Sequence, residues 1–300
     1  MEGYAAEWLK RLQVPDSYRF RKTIEPVRKY GFEKFDAELY LQANGPGTFQ
    51  RVLKVFPKTC SAPLPAVAVP FYRPEGMIGF ELDTGEVLPK YAGITMMADL
   101  AQRGFIAASA DAYHLTYVDS DLDRDDFFRW KLAGEALTGD YPEWCGMGKL
   151  LADTRLLTDT LASDPRVDPG RIGIAGHSLG GKMAFYAGCL DPRIKAVLAS
   201  DFGIGWDQTN WNNVWYWGDR VKEMKKAGLE HSQLLSMSGG KPFFLLAGQY
   251  DNEESRKIML RAKGYESHPE DLGFLNHASG HRPPPDALAA GYAFLERHLK

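Results

Sequence analysis

The stretch Gly176-His177-Ser178-Leu179-Gly180 constrains this chain more than any other. It follows Arg171-Ile172-Gly173-Ile174-Ala175, a short apolar run of strand character, and precedes Leu179–Leu190, a helix-like segment that Asp191-Pro192 stops. Strand, sharp turn and helix is the context in which a G-x-S-x-G pattern holds a serine hydroxyl out for attack. Such a turn strains the serine backbone and crowds the flanking positions against the adjoining strand and helix, so glycine is needed there. The sequence therefore predicts a nucleophilic Ser178. The bland alternative is a glycine-rich packing turn with a bystander serine.

Short apolar strands alternate with helices on both sides of this motif. The patterning predicts strands at Ala66–Val69, Phe105–Ala110, Ile172–Ala175, Ile194–Ala199, Pro242–Ala247 and Leu272–Leu275. Helices are predicted at Tyr91–Arg103, Gly146–Ser163, Leu179–Leu190, Glu253–Lys263 and Asp286–Leu299. Residues 1–60 read as an amphipathic helix, an extended link and a hairpin (Phe35–Leu41 with Phe49–Phe56) turning at Asn44-Gly45-Pro46-Gly47. This alternation implies a single α/β domain over residues 1–300, with a mostly parallel central sheet flanked by helices. The segments 113–145 and 202–240 are too long for simple connections. Each follows a core strand, so each is expected at the C-terminal edge of the strands as a cap-like, pocket-forming insertion.

Composition excludes several classes of function. A net charge of −3 over 300 residues makes no electrostatic case for nucleic acid or an anionic membrane as partner. No apolar run is long enough to cross a bilayer, and residues 1–20 carry no signal-peptide core. The expected location is cytoplasmic, or outside the cell if a leader was trimmed. The three cysteines, Cys60, Cys145 and Cys189, are widely spaced without a C-x-x-C pair, which argues against a disulfide framework or a zinc site. No His, Asp or Glu grouping has metal spacing, and the acidic run Asp119–Asp126 lacks the ordered pattern of a calcium loop. No metal and no cofactor are expected.

Three stretches carry a family likeness: Asp164-Pro165-Arg166-Val167-Asp168-Pro169-Gly170-Arg171-Ile172-Gly173, Gly176-His177-Ser178-Leu179-Gly180-Gly181-Lys182, and Asp191-Pro192-Arg193-Ile194-Lys195-Ala196. From about Ala66 to the C-terminus the chain resembles the α/β-hydrolase superfamily. Within it the likeness is to the dienelactone-hydrolase and acetyl-xylan-esterase-like serine esterases. The resemblance implies the α/β-hydrolase fold and a triad in the order serine, acid, histidine. Asp251, in Gly248-Gln249-Tyr250-Asp251, occupies the turn where the family usually carries its acid, and is preferred over Asp201 at the end of the preceding strand. His281, in Ala278-Ser279-Gly280-His281-Arg282-Pro283, resembles the family's Gly-His loop, and is preferred over His277.

These residue types suit acyl transfer. A serine hydroxyl needs a base during attack, an imidazole titrates in the right range, and a carboxylate fixes its tautomer. The oxyanion needs two donors. One is the backbone N–H of Leu179 at the start of the helix. Many relatives place His-Gly after the Ala66–Val69 strand, whereas this chain has Pro70-Phe71-Tyr72-Arg73. Proline has no N–H, so the second donor is expected from the backbone of Phe71 or Tyr72.

Candidate substrate contacts are Lys182, by likeness to a sugar-contacting lysine of glucuronoyl-esterase-like relatives, and His114 at the edge of the first insertion; the default readings are a solvated or ion-paired lysine and a structural histidine. His177 is read as packing. Trp130 and Trp144 lie in the first insertion, and Trp206, Trp211, Trp215 and Trp217 crowd the second. The latter four are a stacking wall for substrate, the insertion's own core, or a division of both roles among different residues. The resulting expectation is a serine carboxylic-ester hydrolase working through an acyl-enzyme on a small-molecule ester, acetyl or uronate esters of carbohydrates included. A peptidase or amidase on the same fold and a non-catalytic binding protein are the alternatives.

Overall fold

The computed structural model describes residues 2–59, 63–123 and 126–300. Cys60 and part of the Asp119–Asp126 run lie outside the described residues. A nine-stranded sheet organises the chain in the order β1-β2-β3-β5-β4-β6-β7-β8-β9. The strands are β1 (Ile24–Gly31), β2 (Phe35–Gly45), β3 (Thr48–Pro57), β4 (Leu64–Ala68), β5 (Ile106–Ala110), β6 (Val167–His177), β7 (Ile194–Ser200), β8 (Phe243–Ala247) and β9 (Leu272–Asn276). Pairing is antiparallel from β1 through β3 to β5, and parallel from β5 onward to β9. Every residue of β5 is buried, as a parallel strand covered on both faces requires.

Helices close the two faces. On one lie α1 (Glu2–Leu12), α5 (Gly146–Ala162) and α6 (Leu179–Leu190), in a core with Trp8, Leu150, Leu157 and Phe185. On the other lie α2 (Pro74–Ile78), α3 (Met96–Gln102) and α10 (Pro285–Leu299), around Met77, Leu100, Leu198 and Leu295. The remaining helices are α4 (Phe127–Asp140), α7 (Arg220–Lys226), α8 (His231–Met237) and α9 (Glu253–Met259). No helix among the described residues is long and apolar enough to cross a membrane.

The predicted alternation is present, with local differences. The extended link contains strand β1, whose residues are almost all exposed. It lies at the sheet edge with neither face buried, so it carries no apolar alternation to read. The helix expected over Tyr91–Arg103 starts at Met96, because Gly93 takes a φ of 81° and splits it from a 3-10 turn at Pro89–Tyr91. The helix expected over Glu253–Lys263 ends at Met259.

Segments 113–145 and 202–240 leave the C-terminal ends of β5 and β7 and lie against each other. Tyr113 Oη donates to Trp215 O at 3.1 Å, and Met147 N, at the head of α5, donates to Tyr216 O at 2.9 Å. A Cβ on Gly146 would stand 2.2 Å from Trp215 O, so glycine at the head of α5 is what lets the second segment settle there.

Candidate active site

Ser178 joins β6 to α6 with φ 58° and ψ −116°, a strained combination for a residue with a Cβ. It occupies the N-cap position of α6, yet its side chain makes no capping hydrogen bond. The strained backbone thus turns the hydroxyl away from the role serine usually plays at that position. The bend is possible only with glycine beside it. A Cβ on Gly176 would stand 2.1 Å from Gly180 O, and one on Gly180 would stand 2.2 Å from Pro70 O. The second closeness sets the 70–72 loop beside the start of α6. Leu179 opens that helix, so its N–H belongs to the first turn, where the helix dipole is positive.

Ser178, His177, His281, Phe71 and Tyr72 line one cavity of about 310 Å³. Its remaining wall is Lys90, Tyr91, Ile94, Phe127, Trp130 and Arg282. Ser178, His281 and the Phe71–Tyr72 loop, singled out from sequence, are therefore brought together. His281 Nδ1 lies 2.7 Å from Asp201 Oδ2. A carboxylate accepts, so Nδ1 carries the proton and Nε2 is left to act as a base. The His281 ring also lies 4.5 Å from the His177 ring and 4.9 Å from the Tyr250 ring, centroid to centroid. His177 is itself held by Ser200 Oγ at 3.1 Å, and burial lowers it to about 3, which keeps it neutral beside His281.

The acid expected at Asp251 is corrected by this geometry. Asp201 follows β7 with φ 40°, and its Oδ1 accepts from the backbone N–H groups of Gly248, Tyr250 and Asp251. Its Oδ2 accepts from Gln249 N as well as from His281. Burial alone would raise the Asp201 carboxyl, but His281 and these amides outweigh it and hold it below the usual carboxylate range. Asp251 is fully buried and faces the other way. It accepts from Phe202 N and Gly203 N on Oδ2, and from Ile204 N and Ser255 Oγ on Oδ1. Burial raises its pKa despite those bonds, and the Asp201 charge adds to the rise. The loops after β7 and β8 thus exchange carboxylates, each capping the amides of the other. The one left in reach of the imidazole belongs to β7. His277, the rival base, has a buried Nε2 with no hydrogen-bond partner.

Lys182, His114 and the four tryptophans do not line the cavity. Lys182 is buried within α6 and donates to Phe202 O at 2.7 Å, with its ammonium 4.4 Å from the centre of the Trp211 ring and 5.2 Å from that of Tyr216. Burial takes its pKa down to about 7 against the pull of Asp251 and Asp201. Between that value and the ordinary 10.5, the unfolded chain holds a proton that the folded protein lacks. Stability should therefore rise with pH across this window by up to about 1.4 kcal/mol per pH unit. In Lys182→Met the slope should flatten, which urea melts at about pH 7 and about pH 9.5 would measure.

His114 is fully buried among the Tyr113, Trp130, Trp215 and Tyr216 rings, and burial lowers it to about 3. Trp211 Nε1 donates to Gly203 O and Trp217 Nε1 to Tyr186 Oη, both inside the core. Trp206 stacks on Trp8 and faces a separate cavity of about 360 Å³. Trp215 lies one layer behind the wall, against Trp130 and Phe127. Trp211, Trp215 and Trp217 are buried as a local core, because an irregular excursion of this length needs apolar area of its own, whereas Trp206 is partly open to the other cavity. The wall residues Lys90, Tyr91, Ile94, Phe127, Trp130 and Arg282 were not singled out as contacts from sequence. Trp130, in the first insertion, and Arg282, next to His281, were the available signals.

Among the described residues no group of three or more His, Cys, Asp or Glu is placed to hold a metal ion. Cys145 and Cys189 are free and buried.

The model of the dienelactone hydrolase family matches residues 87–212. No curated protein matches the chain in sequence. Solved structures do match in fold. A glucuronoyl esterase from Teredinibacter turnerae superposes with a TM-score of 0.70 at 17% identity, covering 98% of this chain and 83% of that one. A glucuronoyl esterase from Solibacter usitatus gives 0.70 at 12% identity, covering 93% and 86%. An acetyl xylan esterase from Paenibacillus sp. R4 gives 0.60 at 17% identity, covering 99% and 93%. The chain has the α/β-hydrolase fold, and its central segment resembles the dienelactone hydrolase family.

Proposed function

We propose that this protein hydrolyses carboxylic esters, with Ser178 as nucleophile, His281 as base and Asp201 as the carboxylate that orients it. The observation that carries the reading is the 2.7 Å bond from His281 to Asp201, made by an imidazole that shares a cavity with a strained, uncapping serine. The family match and the esterases of the same fold support the same class.

His281 Nε2 takes the proton as Ser178 Oγ attacks the ester carbonyl carbon. The carbonyl oxygen becomes an oxyanion between the Leu179 N–H and an N–H of the 71–72 loop. Each such donor contributes about 3 kcal/mol when removal costs are measured in comparable sites. Collapse expels the alcohol, which leaves with the proton held by His281, and an acyl-serine remains. Water then gives a proton to His281 and attacks the acyl carbon, releasing the acid and restoring Ser178. Asp201 stays ionised throughout and steadies the imidazolium.

A fluorophosphonate reagent tests this. Expected is a single phosphonyl adduct on Ser178, located by peptide mass spectrometry, formed in step with the loss of nitrophenyl acetate hydrolysis. Hydrolysis that persists on a fully labelled protein, or labelling of a different residue, would refute it.

A further inference from the structure

The cavity at Ser178 has an unusual chemical makeup. Its rings form a continuous series. Tyr91 stands edge-on to Phe71 at 5.9 Å, Phe71 to Tyr72 at 4.8 Å, Tyr72 stacks on Trp130 at 4.4 Å and 17°, and Phe127 stands edge-on to Trp130 at 4.8 Å. Phe127, the first residue of α4, ends the series and is 59% exposed. A large apolar side chain left open at the end of an aromatic wall is what a site for a partly apolar ligand presents.

The polar lining is as informative. Among the described residues no Asp, Glu, Asn or Gln lines the cavity. Beyond the proposed catalytic groups and His177, its polar side chains are Lys90, Arg282 and two tyrosines. Lys90 and Arg282 can only donate. Arg282 already gives two of its N–H groups to Ala92 O and Lys90 O. The hydroxyls of a sugar ring need acceptors as well as donors, and beyond the proposed catalytic groups only the two tyrosine hydroxyls and His177 among these side chains can accept. The volume admits such an occupant. Apolar cavities of about 150 Å³ already take up benzene. The cavity here, about 310 Å³, has room for a ring and an ester group.

We propose that the ester attacked by Ser178 carries a planar aromatic group, which packs against Tyr72, Phe127 and the edge of Trp130. This rests on the esterase reading above and narrows its substrate class to aromatic rather than carbohydrate esters.

The test compares kcat/KM for methyl cinnamate, with the ring on the acyl side, and cinnamyl acetate, with the ring on the alcohol side. The matched controls are methyl hexanoate, hexyl acetate and an acetylated xylose. One aromatic ester should exceed its aliphatic match by about tenfold or more, and which one does so tells the side. Phe127→Ala should lower that ratio by about fivefold. Equal rates, or a faster sugar ester, would overturn the proposal while leaving the esterase reading intact. Calorimetry on Ser178→Ala keeps the two separable. Methyl cinnamate or cinnamyl acetate should bind about tenfold tighter than its aliphatic match, even if no ester is turned over. Equal affinities would again overturn the proposal, and absent turnover with tight aromatic binding would instead sink the esterase reading.

Discussion

Ser178→Ala is expected to lower kcat for ester hydrolysis by about 10⁶-fold, with the protein still folded. The size follows from what is lost. The Ser178 oxygen forms the acyl bond, and without it only the oxyanion donors and the cavity remain, which sustain a residual rate of about 10³ over water in comparable sites. Folding should survive because the hydroxyl caps nothing at the start of α6, and alanine meets the same backbone strain at a φ of 58° as serine does. Initial rates with nitrophenyl acetate, together with thermal melts of both proteins, measure the two halves of this expectation. A variant with near-normal activity would remove Ser178 from the chemistry.

Asp201→Asn and Asp251→Asn should separate the two carboxylates. At 201 the amide cannot hold the imidazole in its working tautomer, and kcat is expected to fall by about 10⁴-fold. At 251 the amide NH₂ would face backbone N–H groups that now donate to a carboxylate. The expected result is a loss of about 3 kcal/mol in stability with kcat reduced no more than about tenfold. Single-turnover rates and urea melts on both variants decide this. A 10⁴-fold loss confined to Asp251→Asn would restore the assignment suggested by position in the chain. Acid sensitivity gives a second readout. The folded-state pKa of Asp201 lies below its ordinary value, so its contribution is present above the ordinary carboxylate range and lost as pH falls through the lowered one. Asp201→Asn should lack that part of the acid transition.

Much of this architecture was legible because it rests on local rules. The core strands and helices announced themselves by apolar periodicity, and the glycines around Ser178 announced a bend that only they permit. Strand β1 was hidden because an edge strand with two wet faces has no periodicity to show. Lys182 is a candidate substrate contact in the sequence only through its likeness to a lysine of glucuronoyl-esterase-like relatives. Its helical position instead turns it inward, beneath the rings of Trp211 and Tyr216.

By itself the order of residues determined the alternating layers and the serine at the bend, since both follow from short-range geometry and backbone permissiveness, whereas His281 stands out in the sequence only through its likeness to a family's Gly-His loop. Folding in three dimensions decided which carboxylate reaches His281 and which rings face Ser178. Two neighbouring loops each carry an aspartate and interleave, so the choice depends on which amides each carboxylate meets across some fifty residues of chain. The wall was likewise assembled from loop 70–72, the turn before α3 and the head of α4. These segments are distant in the chain and meet only when the sheet brings its C-terminal edge together.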